Sequence, residues 1–162
     1  MTSQPPVMSA RALLSDADAS TVLATILGNN PGMSISTATR VLDQALAFVA
    51  TAAGRPGEPM VPSRTVDEGW HALILHTGVY QRLCSRFGAF VHHQPEEPDP
   101  GRFSSSVLTR TTALITEAGY RVDPDMWRAP DDTLVSVAAK CQHSDDSGPI
   151  VIIPKPKPKP KS

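Results

Sequence analysis

Aromatic residues are scarce in this chain. They make up 5% of its 162 residues: two tryptophans, two tyrosines and four phenylalanines. The core must therefore be built mainly from aliphatic side chains, and the position of each aromatic carries information. Cysteine is scarcer still, with Cys84 and Cys141 alone, which excludes a disulfide-dense secreted scaffold and leaves two thiols as the expectation. Lysine is almost missing from the body, since four of the five lysines fall in the terminal PKPKPKPKS. Taking those four positive charges from a net charge of -1 leaves Met1 to Pro154 at -5, so a basic surface for nucleic acid is not expected. No apolar run approaches the roughly eighteen residues that span a bilayer. The opening MTSQPPVMSARALL lacks the basic and apolar regions of a secretory signal, so a cytoplasmic protein without a membrane segment is expected. The phosphate-binding glycine loop, the G-x-S-x-G elbow, the dinucleotide fingerprint and the H-E-x-x-H zinc motif are all missing as well.

What is present is mostly helical in pattern. Residues 1–12 are small, polar and proline-bearing, and predict a flexible end. Asp16 or Asp18 can cap a first helix that runs through ASTVLATIL to Gly28. GNNPGMS breaks it, and Ser36 or Thr37 can cap a second helix. There Val41, Leu42, Ala45, Leu46 and Val49 share one face, and Gly54 closes the helix. The prolines of GRPGEPMVPS dictate an extended loop, after which Ser63 or Thr65 can cap a third helix. QPEEPDPG is a second proline-rich loop. A later helix over SSSVLTRTTALITEAG turns Val107, Leu108, Thr111, Leu114, Ile115 and Ala118 inward. YRVDPDMWRAPDDTL reads as irregular, LVSVAAKC as a short helix, and PIVII as a strand. The proline-lysine alternation at the end predicts a stiff, solvated tail. The chain thus reads as mainly α: one irregular helical bundle over 13–148 with proline-rich loops, and a disordered C-terminal tail over 149–162.

The chemistry concentrates in TVDEGWHALILHTGVYQRLCSRFGAFVHHQP, which holds four of the five histidines, one cysteine and one tryptophan. Asp67 and His71 stand four apart, on one helix face, where a carboxylate can orient an imidazole or share a ligand with it. Tyr80 and Cys84 repeat that spacing. On one continuous helix His71 and Cys84 would face opposite ways, so HTG, residues 76–78, is expected to bend the chain into a helical hairpin with Thr77 as the new cap and Gly88 as its end. His76 is expected to be exposed. His92 and His93, if extended, point to opposite sides, so at most one is a ligand. Each feature alone has a plain reading: Trp70 and Tyr80 as core aromatics, Cys84 as an inert buried thiol, Asp67 as a helix-start charge. Cys141 and His143 form a weaker ligand pair in a surface loop.

The stretches NNPGMSISTATRVLDQALAFVATAA and PMVPSRTVDEGWHALILHTGVYQRLCSRFGAFVHHQP resemble the glycine-rich domain-containing protein-like family, in its short bacterial form. The resemblance rests on Val66, Asp67, Trp70, His71, Thr77, Tyr80, Cys84, Gly88, His92, His93 and Pro95, and spans about 15–120. Longer plant relatives carry glycine-rich tails and a link to RNA binding; with ten unclustered glycines, this chain does not inherit that implication.

Two functions are in view. In the first, Asp67, His71, Cys84 and one of His92 or His93 hold a divalent metal, zinc first and iron or copper next, with His71 and Tyr80 as catalytic groups acting on a small molecule. In the second, the same residues form a buried hydrogen-bond network in a non-enzymatic domain that engages a protein partner. Cys84 acting as a nucleophile with a histidine base is a third, metal-free reading.

Overall fold

The computed structural model describes residues 6–93 and 105–128. Five helices account for most of them: α1 (Asp16–Asn29), α2 (Ile35–Gly54), α3 (Arg64–Leu75), α4 (Thr77–Phe87) and α5 (Ser105–Glu117). Short 3-10 turns at Ala10–Leu13 and Pro124–Trp127 flank them. No strand occurs among the described residues, only a single parallel bridge between Met8 and Tyr120. None of these helices is long and apolar enough to cross a membrane.

Serine starts the first three helices. Ser15, Ser34 and Ser63 each accept a hydrogen bond from the amide three residues on, at Asp18, Thr37 and Val66. This satisfies one of the orphan amides of the first turn. The expected caps at Asp16 or Asp18 and at Ser36 or Thr37 are corrected by one to three residues; Asp16 and Asp18 sit in the first turn of α1, where a carboxylate still meets the positive end of the helix. α4 differs from the rest. Thr77 is its first residue rather than its cap, and His76 at φ -92° and ψ 72° is the single hinge residue shared with α3. His76 is half-buried and its Nε2 lies 2.7 Å from Thr25 Oγ1 on α1, so the histidine expected at the surface ties the hairpin to a neighbour. Gly88 ends α4 in the left-handed region at φ 98°, as expected of a helix-stopping glycine.

α2 is the axis of the fold. Periodicity assigns it one apolar face, yet Gln44 through Thr51 are buried without interruption. It contacts all four other helices, and a helix covered on all sides needs apolar or small residues all round. Its tightest neighbour is α3. A Cβ placed on Gly69 would meet Ala45 Cβ at 2.8 Å and the Val41 carbonyl oxygen at 3.0 Å, so a missing side chain lets the two backbones approach. That approach seats Trp70 against Phe48, with ring centroids 5.1 Å apart.

The segment after α5 reads as irregular in sequence but is firmly held. Gln44 Oε1 accepts from Trp127 Nε1 at 2.7 Å and from the Asp123 amide at 3.1 Å, while its Nε2 donates to the Arg121 carbonyl at 3.1 Å. Ser63 Oγ, already capping α3, donates to the Met126 carbonyl at 2.5 Å. Arg40 closes the outside of this junction with two bonds to Asp123 and one to Asp125, between 2.7 and 2.9 Å. At the other end of the chain, the Met8 amide donates to the Gly119 carbonyl at 2.8 Å and Ala10 is buried. The expected helix at LVSVAAKC, the strand at PIVII, the proline-lysine tail, and Cys141 and His143 lie outside the described residues.

Candidate metal centre

Ser63 fixes where α3 begins, and Gly69 fixes how close it lies to α2. Together they set its rotation, with Val66, Gly69, Trp70 and Leu73 facing the core. Asp67 and His71, one turn apart, then fall at the rim, half-buried. The third participant arrives from beyond α4. Residues 91–93 run without helical structure past the start of α3, and His93 turns inward.

The three side chains converge. His93 Nε2 lies 3.1 Å from Asp67 Oδ1, and His71 Nε2 lies 3.6 Å from Asp67 Oδ2. The imidazole centroids are 4.3 Å apart with the planes inclined at 52°. One ligand-capable atom from each residue lies within 4.8 Å of the other two. Donors bonded at about 2.1 Å to one tetrahedral ion stand roughly 3.4 Å from each other, a spacing that the two contacts to Asp67, at 3.1 and 3.6 Å, already approach. A purely hydrogen-bonded cluster accounts for the His93 contact, but 3.6 Å is too long for a bond from His71.

A relay of aromatic residues holds His93 in place. Trp70 Nε1 donates to the Tyr80 hydroxyl at 3.0 Å, and that hydroxyl donates to the Val91 carbonyl. The backbone two residues before His93 is thereby pinned to the core. The Trp70 ring also packs against the His93 ring, centroids 4.4 Å apart with the planes inclined at 59°, and Phe90 packs edge-on against Tyr80 at 5.2 Å. Burial is the main force pushing the Tyr80 phenol well above its ordinary pKa; the Trp70 N–H opposes this and the adjacent Cys84 thiol adds to it.

The sequence candidates therefore separate. Asp67, His71 and His93 come together. His92 does not join them: its exposed ring lies 4.8 Å from that of Phe90, on the side the alternation of an extended segment dictates. Cys84 is 1% exposed beside Tyr80 inside the hairpin and is not part of the cluster, because the second i,i+4 pair faces the core while the first faces its rim. Tyr80, expected as an acid or donor toward a substrate, donates its hydroxyl hydrogen bond to the Val91 carbonyl and is itself buried. Gly69 and the Val91 carbonyl escape sequence reasoning. A glycine directly before Trp70 in an otherwise helical pattern was the available signal for the first; nothing in the sequence marks the second.

The UCP032817-like family matches residues 16–105, more than half of the chain and a stretch that includes Asp67, His71 and His93. The chain belongs to this family. The match corrects the resemblance to the glycine-rich domain-containing protein-like family, and what that resemblance implied falls with it. No curated protein and no solved structure matches the chain.

Proposed function

We propose that this member of the UCP032817-like family is a metal-binding protein whose centre is formed by Asp67, His71 and His93. The observation that carries the reading is the convergence of one carboxylate and two imidazoles within 4.8 Å, two of them set by one helix turn and the third by a pinned segment. An N2O donor set of this kind suits zinc first and iron(II) or copper next. With Cys84 outside the cluster, the preference for zinc rests on the imidazoles and not on a thiolate. A metal here would polarise a small substrate or activate water, and His71, the more exposed imidazole, is the group closest to any such substrate.

The test is direct. The full chain, purified without chelator, is analysed for bound elements and then titrated with zinc by calorimetry. One equivalent is expected to bind, His71→Ala and His93→Ala to abolish binding, and His92→Ala and Cys84→Ser to leave it unchanged. A folded wild-type chain that takes up no zinc, iron or copper overturns the proposal.

One observation favours a second reading. The Asp67–His93 contact at 3.1 Å and the Trp70–Tyr80–Val91 relay would make a self-sufficient polar network without a metal, suited to a non-enzymatic interaction domain. Failure of metal binding combined with loss of stability in Asp67→Ala is the result that selects it.

A further inference from the structure

The three donors leave part of any coordination shell empty. Tetrahedral ions need four ligands and octahedral ones six, and no fourth His, Cys, Asp or Glu joins the cluster among the described residues. The empty side is the wet side: the His71 side chain is 43% exposed, whereas those of Asp67 and His93 are 28% and 20% exposed. Among the described residues the Trp70 ring packs against His93 on the inner wall, which leaves the more exposed His71 side as the approach for a further ligand.

Charge then selects that ligand. Histidine binds metal as the neutral imidazole, so a divalent ion beside a single carboxylate keeps one net positive charge. In a half-buried setting this charge is screened less than in water, and it favours an anion over a neutral donor of the same size. We infer that the Asp67–His71–His93 centre is an open site that captures a small anion through the metal, and that its natural ligand carries an anionic oxygen such as a carboxylate. This rests on the metal reading above.

Cobalt(II) loading of the full chain tests both claims separately. Cobalt replaces zinc in such donor sets and reports its coordination through visible absorption bands. Uptake of one equivalent, absent in His93→Ala, establishes the metal reading on its own. Titration of the loaded protein with azide and then with acetate is expected to shift and intensify the bands saturably, while neutral acetamide at equal concentration leaves them unchanged. Cobalt that binds but whose spectrum does not respond to either anion overturns the open anion site and leaves the metal reading standing. Equal response to acetamide and acetate overturns the charge argument. No cobalt uptake by the folded chain overturns both.

Discussion

Replacing Tyr80 with Phe removes one oxygen atom and is the sharpest probe of how the candidate centre is held. The hydroxyl serves two partners at once, accepting from Trp70 Nε1 and donating to the Val91 carbonyl. Trp70 is 7% exposed, so its indole N–H loses its partner where water has little access. An unpaired buried donor costs about 1–3 kcal/mol, and the half-buried Val91 carbonyl, which water can reach, falls at the low end of the same range. The ring itself remains, with its edge contact to Phe90. The expected loss is therefore roughly 2–4 kcal/mol, or a melting temperature lower by about 6–15 °C for a domain of this size. The same change frees the backbone next to His93 without touching any ligand. Zinc affinity is expected to fall by about ten-fold or more, as when a group orienting a ligand is removed. Thermal unfolding with and without zinc, followed by calorimetric titration, reads both effects. A variant that melts within a degree of the parent refutes the relay. A destabilised variant with undiminished zinc affinity shows that the relay holds the fold but not the ligand.

Other outcomes follow from the same geometry. Gly69→Ala drives a methyl group into Ala45 and the Val41 carbonyl, and is expected to destabilise by about 1–3 kcal/mol in a denaturant titration, the opposite of the usual gain for this change in a helix. Gln44→Leu strands Trp127 Nε1, the Asp123 amide and the Arg121 carbonyl together, and should cost roughly 2–5 kcal/mol, visible in the same titration. Hydrogen bonds from Arg40 first, then from Arg128, hold the Asp125 carboxyl below its ordinary pKa. A lowered acid contributes stability that is present above its unfolded pKa and is lost as pH falls through the folded value. Arg40→Ala should therefore flatten the acid limb of the stability-against-pH curve while leaving its slope near neutrality unchanged. Zinc at a hundred times its dissociation constant should raise the stability of the full chain by about 2.7 kcal/mol, an increment that a chelator removes; a melt insensitive to both contradicts the centre.

Much of this is legible in the sequence. Helix spacing puts Asp67 and His71 on one face, and the proline-rich loop GRPGEPMVPS separates α2 from α3 as expected, while the second such loop, QPEEPDPG, lies outside the described residues. The shifts at helix starts have a common cause: Ser15 and Asp16, or Ser34 and Ser36, both offer an oxygen to a first-turn amide, and only the backbone path decides between them. The choice between His92 and His93 was open for a similar reason, since alternation says they diverge but not which one turns inward. Cys84 shows a different gap. Spacing placed it on a face with Tyr80, but whether that face meets the rim or the core depends on how the hairpin rolls on α2, a tertiary matter set largely at Gly69. Gln44 was hidden among apolar neighbours, and its partners lie more than seventy-five residues away in sequence, beyond the reach of any local pattern.

That last separation bears on where the protein can be cut. The family match ends at 105, a natural place to trim an expression fragment. Such a fragment would retain all three proposed ligands, yet it would lose the Arg121, Asp123 and Trp127 groups that satisfy Gln44 and the Met126 carbonyl that Ser63 holds. The innermost helix would then present an amide and the flank of Phe48 to water. The unit that keeps these contacts is therefore longer than the matched segment and runs at least to Trp127; a shorter piece is expected to be recovered in the insoluble fraction, whether or not the proposed centre binds metal.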